Sequence, residues 1–384
     1  LPLFDERQRG VSFLWYWGPF LSSGLDSGLC KGDKQNMDLR ILEIAQTSDW
    51  CTALEQVNGA DIYFTPGYLI PHAQRGEGRP ILVVGQEKEK TAVHVCFVRK
   101  LSSLPFDAKS DAHRVDLISP YGYAGPILSH PDSHFAAEFW TAWQNAAKQM
   151  GAVSEFIRFH PLLKNREPFA DHLETTHYGE TVYIDLTRKR IVDGLSNSCR
   201  KSVRSAYKKG GQFELLNPVE WLHEFVALYT QTMDQHRASS FYYFDEDYFV
   251  RLFDELQDKV WLTRVHFNDR TGAFGLFLIH NQFLHYHLGC SDYDLRAFCP
   301  TNLLLYEAAL LAKKREQQAF HLGGGFGDSE SQKSLFEFKR RFSDRTAKYY
   351  FAKVIHDSDA YARLTKQSGQ SADNPFFPAY RSLS

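Results

Sequence analysis

Trp261-Leu-Thr-Arg-Val-His-Phe267, Ala273-Phe-Gly-Leu-Phe-Leu-Ile-His280 and Phe283-Leu-His-Tyr-His-Leu-Gly289 are three apolar, β-branched or aromatic runs with turns at Asn268-Asp269 and His280-Asn281. They read as consecutive antiparallel strands. Asn302-Leu-Leu-Leu-Tyr-Glu-Ala-Ala-Leu-Leu-Ala-Lys-Lys-Arg-Glu-Gln317 follows as a long helix, then Ala319-Phe-His-Leu322 as a strand running into Gly323-Gly324-Gly325. The order is antiparallel strands, long helix, strand.

The first half has the same order. Pro80 to Gly85 and Ala92 to Arg99 read as a hairpin, His134 to Met150 as a helix closed at Gly151, and Glu155 to His160 as a strand. Before the hairpin lie a strand at Leu39 to Ile44, a helix at Ser48 to Val57, a strand at Asp61 to Phe64 and a turn at Pro66-Gly67. The second half opens with a strand at Thr181 to Leu186 and helices at Val192 to Lys209 and Pro218 to Gln235. No sequence repeat is visible, yet a shared order without shared sequence is what a structurally duplicated α+β lobe leaves behind. The division expected is an extension over 1–36, a first lobe over 37–180, a second over 181–360 and a C-terminal tail over 361–384, within which Gln367 to Asn374 reads as polar and mobile.

Composition narrows the class. The chain has 384 residues, 43% hydrophobic and 23% charged, which suits a globular protein with a sizeable core and excludes disorder and fibres. Lys+Arg 44 against Asp+Glu 46 leaves a net charge of −2, so a polyanion would have to meet a local basic patch. The apolar run from Val11 to Leu25 is broken by Gly18, Pro19 and serines; it suits neither a membrane span nor a signal core. The 6 cysteines are scattered, which points to a reducing, cytoplasmic setting.

Arg200, Arg204 and Lys208, spaced by four, form a basic ridge on one side of a helix whose other side carries Leu195, Cys199, Val203 and Ala206. Such a ridge suits phosphates, or is a solvated helix face. Ser334-Leu-Phe-Glu-Phe-Lys-Arg-Arg-Phe-Ser343 interleaves aromatic and cationic residues. Acyl transfer to an amine develops negative charge on the attacked carbonyl, and a fixed cation such as Lys339 would stabilise it. The plainer alternative is a partly buried strand or loop with surface charges. The glycines at 323 to 325 match neither a P-loop nor a dinucleotide fingerprint and read as a sharp turn or a close approach to a ligand. His285 and His287 alternate on a strand and His321 ends another, but no further ligand has metal-site spacing, so no metal is expected. A G-x-S-x-G elbow is absent, which disfavours a hydrolase. Tyr243, in Phe241-Tyr-Tyr-Phe244, and the nearby Arg237 are candidates for positioning an acceptor.

These pieces together resemble the Fem-type aminoacyl- and peptidyltransferases of the GNAT (acetyltransferase) superfamily. The resemblance rests on Tyr63-Phe-Thr-Pro-Gly-Tyr-Leu69, Ser119-Pro-Tyr-Gly-Tyr-Ala-Gly-Pro126, Arg158-Phe-His-Pro-Leu-Leu-Lys-Asn165 and Cys199-Arg-Lys-Ser-Val-Arg-Ser-Ala-Tyr-Lys-Lys-Gly210. Pro300-Thr-Asn-Leu-Leu304, His321-Leu-Gly-Gly-Gly325 and the segment from Ser334 to Phe342 complete it in order. It implies two tandem GNAT-like lobes, each a mixed, mostly antiparallel sheet flanked by helices. It also implies an N-acyltransferase that moves an aminoacyl group from aminoacyl-tRNA to an amine on a small molecule or peptide, with no tightly bound cofactor. Phe338 and Lys339 would lie at the reaction centre, Arg200, Arg204 and Lys208 would handle phosphates or tRNA, and Asn302 would join Arg237 and Tyr243 at the substrate.

Two alternatives stand beside this. An acyl-CoA donor is the first. Single-lobe acetyltransferases cradle the coenzyme A pyrophosphate in a Gln/Arg-x-x-Gly-x-Gly/Ala loop, whereas Arg296 to Asn302 contains no glycine and Pro300 removes an N–H donor. The second is a non-catalytic module that binds nucleic acid or another phosphate ligand through the basic ridge. A general base is not legible in the sequence.

Overall fold

A computed structural model describes residues 37–382 apart from 58, 326–329 and 372. The expected 1–36 extension lies outside the described residues.

The strands are β1 (Asp38–Glu43), β2 (Arg79–Glu87), β3 (Lys90–Lys100), β4 (Val115–Ile118), β5 (Ile127–Leu128), β6 (Ala152–Arg158) and β7 (Thr176–Asp185). They continue with β8 (Gly211–Leu216), β9 (Val260–Phe267), β10 (Arg270–His280), β11 (Phe283–Ser291), β12 (Ala319–Gly323) and β13 (Thr346–Ile355). The helices are α1 (Thr47–Glu55), α2 (Pro66–Gln74), α3 (Ser133–Gln149), α4 (Asn197–Lys208) and α5 (Leu222–Gln235). After them come α6 (Glu246–Leu256), α7 (Pro300–Lys314), α8 (Glu330–Arg340) and α9 (Ser358–Gln367).

The class is α+β, as the sequence indicates, and the duplication is explicit in the sheet. Among the described residues one mixed sheet runs β1-β2-β3-β4-β6-β13-β7-β12-β11-β10-β9-β8. At its centre β13 and β7 pair antiparallel. On either side stands the strand that follows a long helix, β6 after α3 and β12 after α7, each parallel to its outer neighbour. Antiparallel strands complete each wing. The last strand, β13, ties the wings together, since Phe351 pairs with Arg158 on one edge and with Thr176 on the other.

Local chemistry explains the elements. In β2 and β3, Ile81 to Val84 and Ala92 to Phe97 are all buried, because helices cover both faces of the sheet there. One cover is α3, which turns Phe135, Phe139, Trp140 and Trp143 inward. Its start is fixed by Asp132, whose carboxylate accepts from the N–H groups of His134 (2.8 Å) and Phe135 (3.0 Å). A core of residues from both halves, including Tyr63, Phe64, Tyr121, Tyr229, Phe274 and Leu288, fills the junction between the wings.

Three expectations need correction. Asp61 to Phe64 is not a strand: the Asp61 side chain accepts from Ile62 N–H and starts a 3-10 turn over Ile62–Phe64. Pro66-Gly67 is not a free turn but the first turn of α2, where the fixed proline φ suits a helix start. The segment from Ser334 is helical rather than strand or loop. At the C-terminal end Tyr361 of α9 stacks on Phe377 at 5.7 Å, and buried Tyr380 meets Ser154 Oγ at 2.7 Å.

Candidate active site

β11 and β12 pair in parallel only at Phe283–Ala319, Leu284–Phe320 and His285–His321, and then part. Each strand carries a bulge where they diverge. In β11, Tyr286 pairs with Phe277 and Leu288 with Leu276, leaving His287 as the extra residue. In β12, the register against β7 jumps between His321 and Gly323. Bulges of this kind re-aim side chains and end pairing. The gap between the strands is a pocket lined by Tyr286, His287, His321 and Gly323 from this wing. The opposite wall is Tyr63 with Tyr121 to Tyr123, the loop that follows β4. Gly122 has φ +103, and a Cβ there would lie 2.4 Å from the Tyr63 ring, so only glycine lets that ring form the wall.

Lys339 is the buried residue of α8, at the inward position where an amphipathic helix ordinarily places an apolar side chain. Its ammonium donates to Gly324 O at 2.6 Å, just beyond the end of β12. Gly323, at φ +76, makes the approach possible, because a Cβ at that position would be 3.3 Å from Lys339 Nζ and 3.7 Å from Tyr123 Oη. Burial pushes the Lys339 pKa down to about 8. Phe338, half-buried, packs its ring 5.3 Å from that of Phe342.

Behind the pocket lies a chain of buried polar groups. Asp61 Oδ2 accepts from His285 Nε2 at 2.6 Å and from His160 Nε2 at 2.8 Å. His160 Nδ1 in turn accepts from the N–H groups of Leu162 and Leu163, both at 3.2 Å, so its proton is on Nε2. Burial alone would raise the Asp61 pKa; the adjacent His285 and His160 outweigh it and hold the carboxyl well below its usual range. His285 Nδ1 lies 3.4 Å from His321 Nδ1. The other ring nitrogen of His321, Nε2, is buried with no partner among the described residues, as are His287 Nε2 and Tyr123 Oη. All three belong to pocket-lining residues. Burial, more than any neighbouring charge, lowers the pKa of His321 well below that of a free imidazole.

Asp61, His160 and His285 are also metal-ligating residue types within reach of one another, as are His94, Cys96 and Glu155 in the first wing. In both groups the carboxylate is in direct hydrogen-bond contact with histidine, at 2.6 to 2.8 Å around Asp61 and 2.6 Å between Glu155 and His94. That geometry is a direct hydrogen-bonded network.

The other residues singled out by sequence fall in three places. α4 begins beside α8, since the N–H of Ser196, its N-cap, donates to Arg341 O at 2.8 Å. Its Cys199, Val203 and Ala206 are buried, as the apolar stripe predicts. Arg200 is half-buried, with Nε donating to Leu195 O at 3.0 Å, while Arg204 and Lys208 are exposed. Asn302, in the first turn of α7, points its amide at Cys199 Sγ, 3.9 Å away. Arg237 and Tyr243 do not line the pocket: both are exposed, and Tyr243 donates to Asp234 at 2.8 Å. Asp61 and His160 escape sequence reasoning although both lie in or beside the quoted motifs; an aspartate two residues before Tyr63 looks like any turn residue until its histidine partners are folded against it.

Comparison with known proteins agrees with this architecture. Residues 197–340 match the acetyltransferase (GNAT) domain family. The crystal structure of FemX superimposes with a TM-score of 0.63 at 14% identity, covering 84% of this chain and 99% of that one. The structure of L-PGS from Bacillus licheniformis superimposes with a TM-score of 0.50 at 14% identity, covering 79% of this chain and 91% of that one. No curated protein matches.

Proposed function

We propose that this chain, whose residues 197–340 match the acetyltransferase (GNAT) domain family, is a Fem-like acyltransferase that forms an amide by moving an aminoacyl group from aminoacyl-tRNA to an acceptor amine. The observation that carries the proposal is the buried ammonium of Lys339 at the mouth of the strand gap. A cation in that position costs folding energy, because desolvating an ammonium is expensive. The cost is justified where negative charge develops on a reacting carbonyl oxygen, since a preorganised donor in a water-poor site stabilises it strongly.

In this reading the acyl ester lies along the gap between β11 and β12 with its carbonyl oxygen toward Lys339. The amine attacks from the side of Tyr123 and His321. Phe338 backs the lysine, and Arg200, Arg204 and Lys208 on the neighbouring α4 hold phosphates of the donor. Arg237 and Tyr243, both at the surface, could reach only an extended acceptor or the body of a tRNA. The acceptor is a small molecule or a peptide. No helix among the described residues is long and apolar enough to cross a membrane; the cytoplasm, where charged tRNA is found, is the proposed setting. The division into lobes at 37–180 and 181–360 belongs to the same proposal, with β13 shared across the sheet.

The start of α7 supports tRNA over coenzyme A as donor. Cys299 is in the left-handed region at φ 59, and Pro300 takes the first helical position, where its missing N–H leaves one donor fewer for a pyrophosphate. The test is amine-dependent deacylation of charged tRNA run beside amine-dependent release of free coenzyme A from acyl-CoA. Release of uncharged tRNA alone supports the proposal; turnover of acyl-CoA alone replaces the donor and leaves the acyltransferase.

A further inference from the structure

Resting on the acyl-transfer reading, we infer that His321 is the general base of the reaction, held in its working tautomer by an Asp61–His285–His321 relay. The geometry carries the inference. Asp61 accepts from His285 Nε2 at 2.6 Å, and His285 presents Nδ1 to His321 Nδ1 at 3.4 Å. Because the Asp61 carboxylate only accepts, the proton between it and His285 is on His285 Nε2, and the neutral form of His285 then carries its lone pair on Nδ1. The contact with His321 then requires a hydrogen on His321 Nδ1. That puts the remaining lone pair on His321 Nε2, the buried atom of a pocket-lining side chain with no partner among the described residues. The 3.4 Å separation is long for a hydrogen bond, as catalytic contacts commonly are before substrate binds.

The surroundings keep this ring neutral at rest. The charged or titratable groups facing it are His285 from β11, Asp61 and His160 from the first wing, Lys339 from α8 and Tyr123 from the loop after β4. Burial and the nearby cation both favour the neutral ring, so the lone pair is available throughout the neutral range.

The step balances without a further reactant. The amine nitrogen bonds to the carbonyl carbon, and the electron pair of the C=O bond moves to the oxygen facing Lys339. His321 Nε2 removes a proton from the nitrogen, which has become cationic. The oxygen pair returns, the C–O bond to the ribose breaks, and the proton on Nε2 passes to the departing hydroxyl. One amide and one alcohol form, with no net change in protons. His285 and Asp61 touch no substrate in this scheme and are positioning residues.

The test pairs kinetics with a readout that needs no turnover. For His321→Asn, kcat on whichever donor the wild type uses should fall about a hundred- to ten-thousand-fold, with KM nearly unchanged. The acid limb of the wild-type pH profile should vanish with it. His285→Asn and Asp61→Asn should lower kcat less and distort that limb. In the folded wild type, nitrogen-15 NMR of the imidazoles should find His321 protonated on Nδ1, with that signal displaced in His285→Asn. A folded His321→Asn variant with wild-type kcat and pH profile, or a His321 protonated on Nε2 at neutral pH, overturns the assignment. If acyl-CoA proves to be the donor, the tRNA reading fails and the base is still decided by the same variants. If neither donor turns over, the tautomer decides it.

Discussion

Asp61 and His285 are 224 residues apart in the chain and 2.6 Å apart in the fold. The carboxylate belongs to the short turn before α2 and the imidazole to β11, so their contact fixes the first wing against the second at the point where β11 and β12 separate. Asp61→Asn should therefore be felt in stability as well as rate. Removing one partner from a buried charged network costs about 3–5 kcal/mol, readable as a lower denaturation midpoint in urea with an unchanged slope.

Lys339 separates stability from activity in the opposite sense. Lys339→Met fills the same space with no ammonium to desolvate, so thermal stability should hold or rise while kcat falls about a hundred- to a thousand-fold. The wild-type rate should also decline on the alkaline side of about pH 8, as the ammonium loses its proton. Because the folded pKa lies below the unfolded value, the unfolded chain binds more protons between about 8 and 10.5, and wild-type stability relative to Lys339→Met should climb with pH across that window. Urea titrations of both proteins at pH 7 and pH 10 measure it.

Gly323→Ala tests the approach of the lysine to the strand end. The residue sits at φ +76, which costs a non-glycine residue about 1 kcal/mol or more, and its new methyl group would press on Nζ at 3.3 Å. A modest loss of melting temperature with a disproportionate loss of kcat is expected. A stability loss without an effect on rate would place the reacting carbonyl elsewhere.

Glu155 offers a check on the fold that is independent of any reaction. Its carboxylate accepts from His94 (2.6 Å), Trp143 (3.0 Å) and His356 (3.2 Å). Burial would raise its pKa, but the histidines more than compensate and hold it at about 2 against an ordinary 4.5. A depressed carboxylate contributes stability that is complete above the unfolded pKa and is lost as pH falls through the folded one. Glu155→Gln should therefore cost on the order of 3 kcal/mol at pH 7. The deficit should shrink as pH drops from about 4.5 toward 2.

The basic ridge predicts a salt effect. Arg204→Ala with Lys208→Ala should weaken tRNA binding, lower the slope of log affinity against log salt by about one to two, and leave kcat at saturation unchanged. Filter binding across a salt series provides the slope.

Much of the architecture was legible because period and punctuation agree: the β2–β3 hairpin, α3 ending at Gly151 with φ +76, and the run from β9 to β12 all fall where apolar spacing and turn residues put them. Local signals failed where tertiary contact decides. Tyr63 and Phe64 have strand-forming side chains, yet the Asp61 cap turns them into a 3-10 turn. α8 hides its helical nature because its buried position is a lysine, which a hydrophobic pattern counts as exposed. Within the site, Lys339 could be chosen from its aromatic and cationic neighbours and from family resemblance. The relay could not, since Asp61, His285 and His321 come from three separate elements and acquire meaning only when β11 and β12 are set side by side.

The central claim is aminoacyl transfer beside a buried ammonium, and mass spectrometry of the acceptor tests it most directly. A mixture of amines would be incubated with pooled charged tRNAs and pooled acyl-CoAs, using wild-type protein and Lys339→Met. The account predicts an amine heavier by one amino-acid residue with the wild type and none above background with the variant. An amine heavier by an acetyl or other CoA-derived acyl group, or equal product from both proteins, would contradict it.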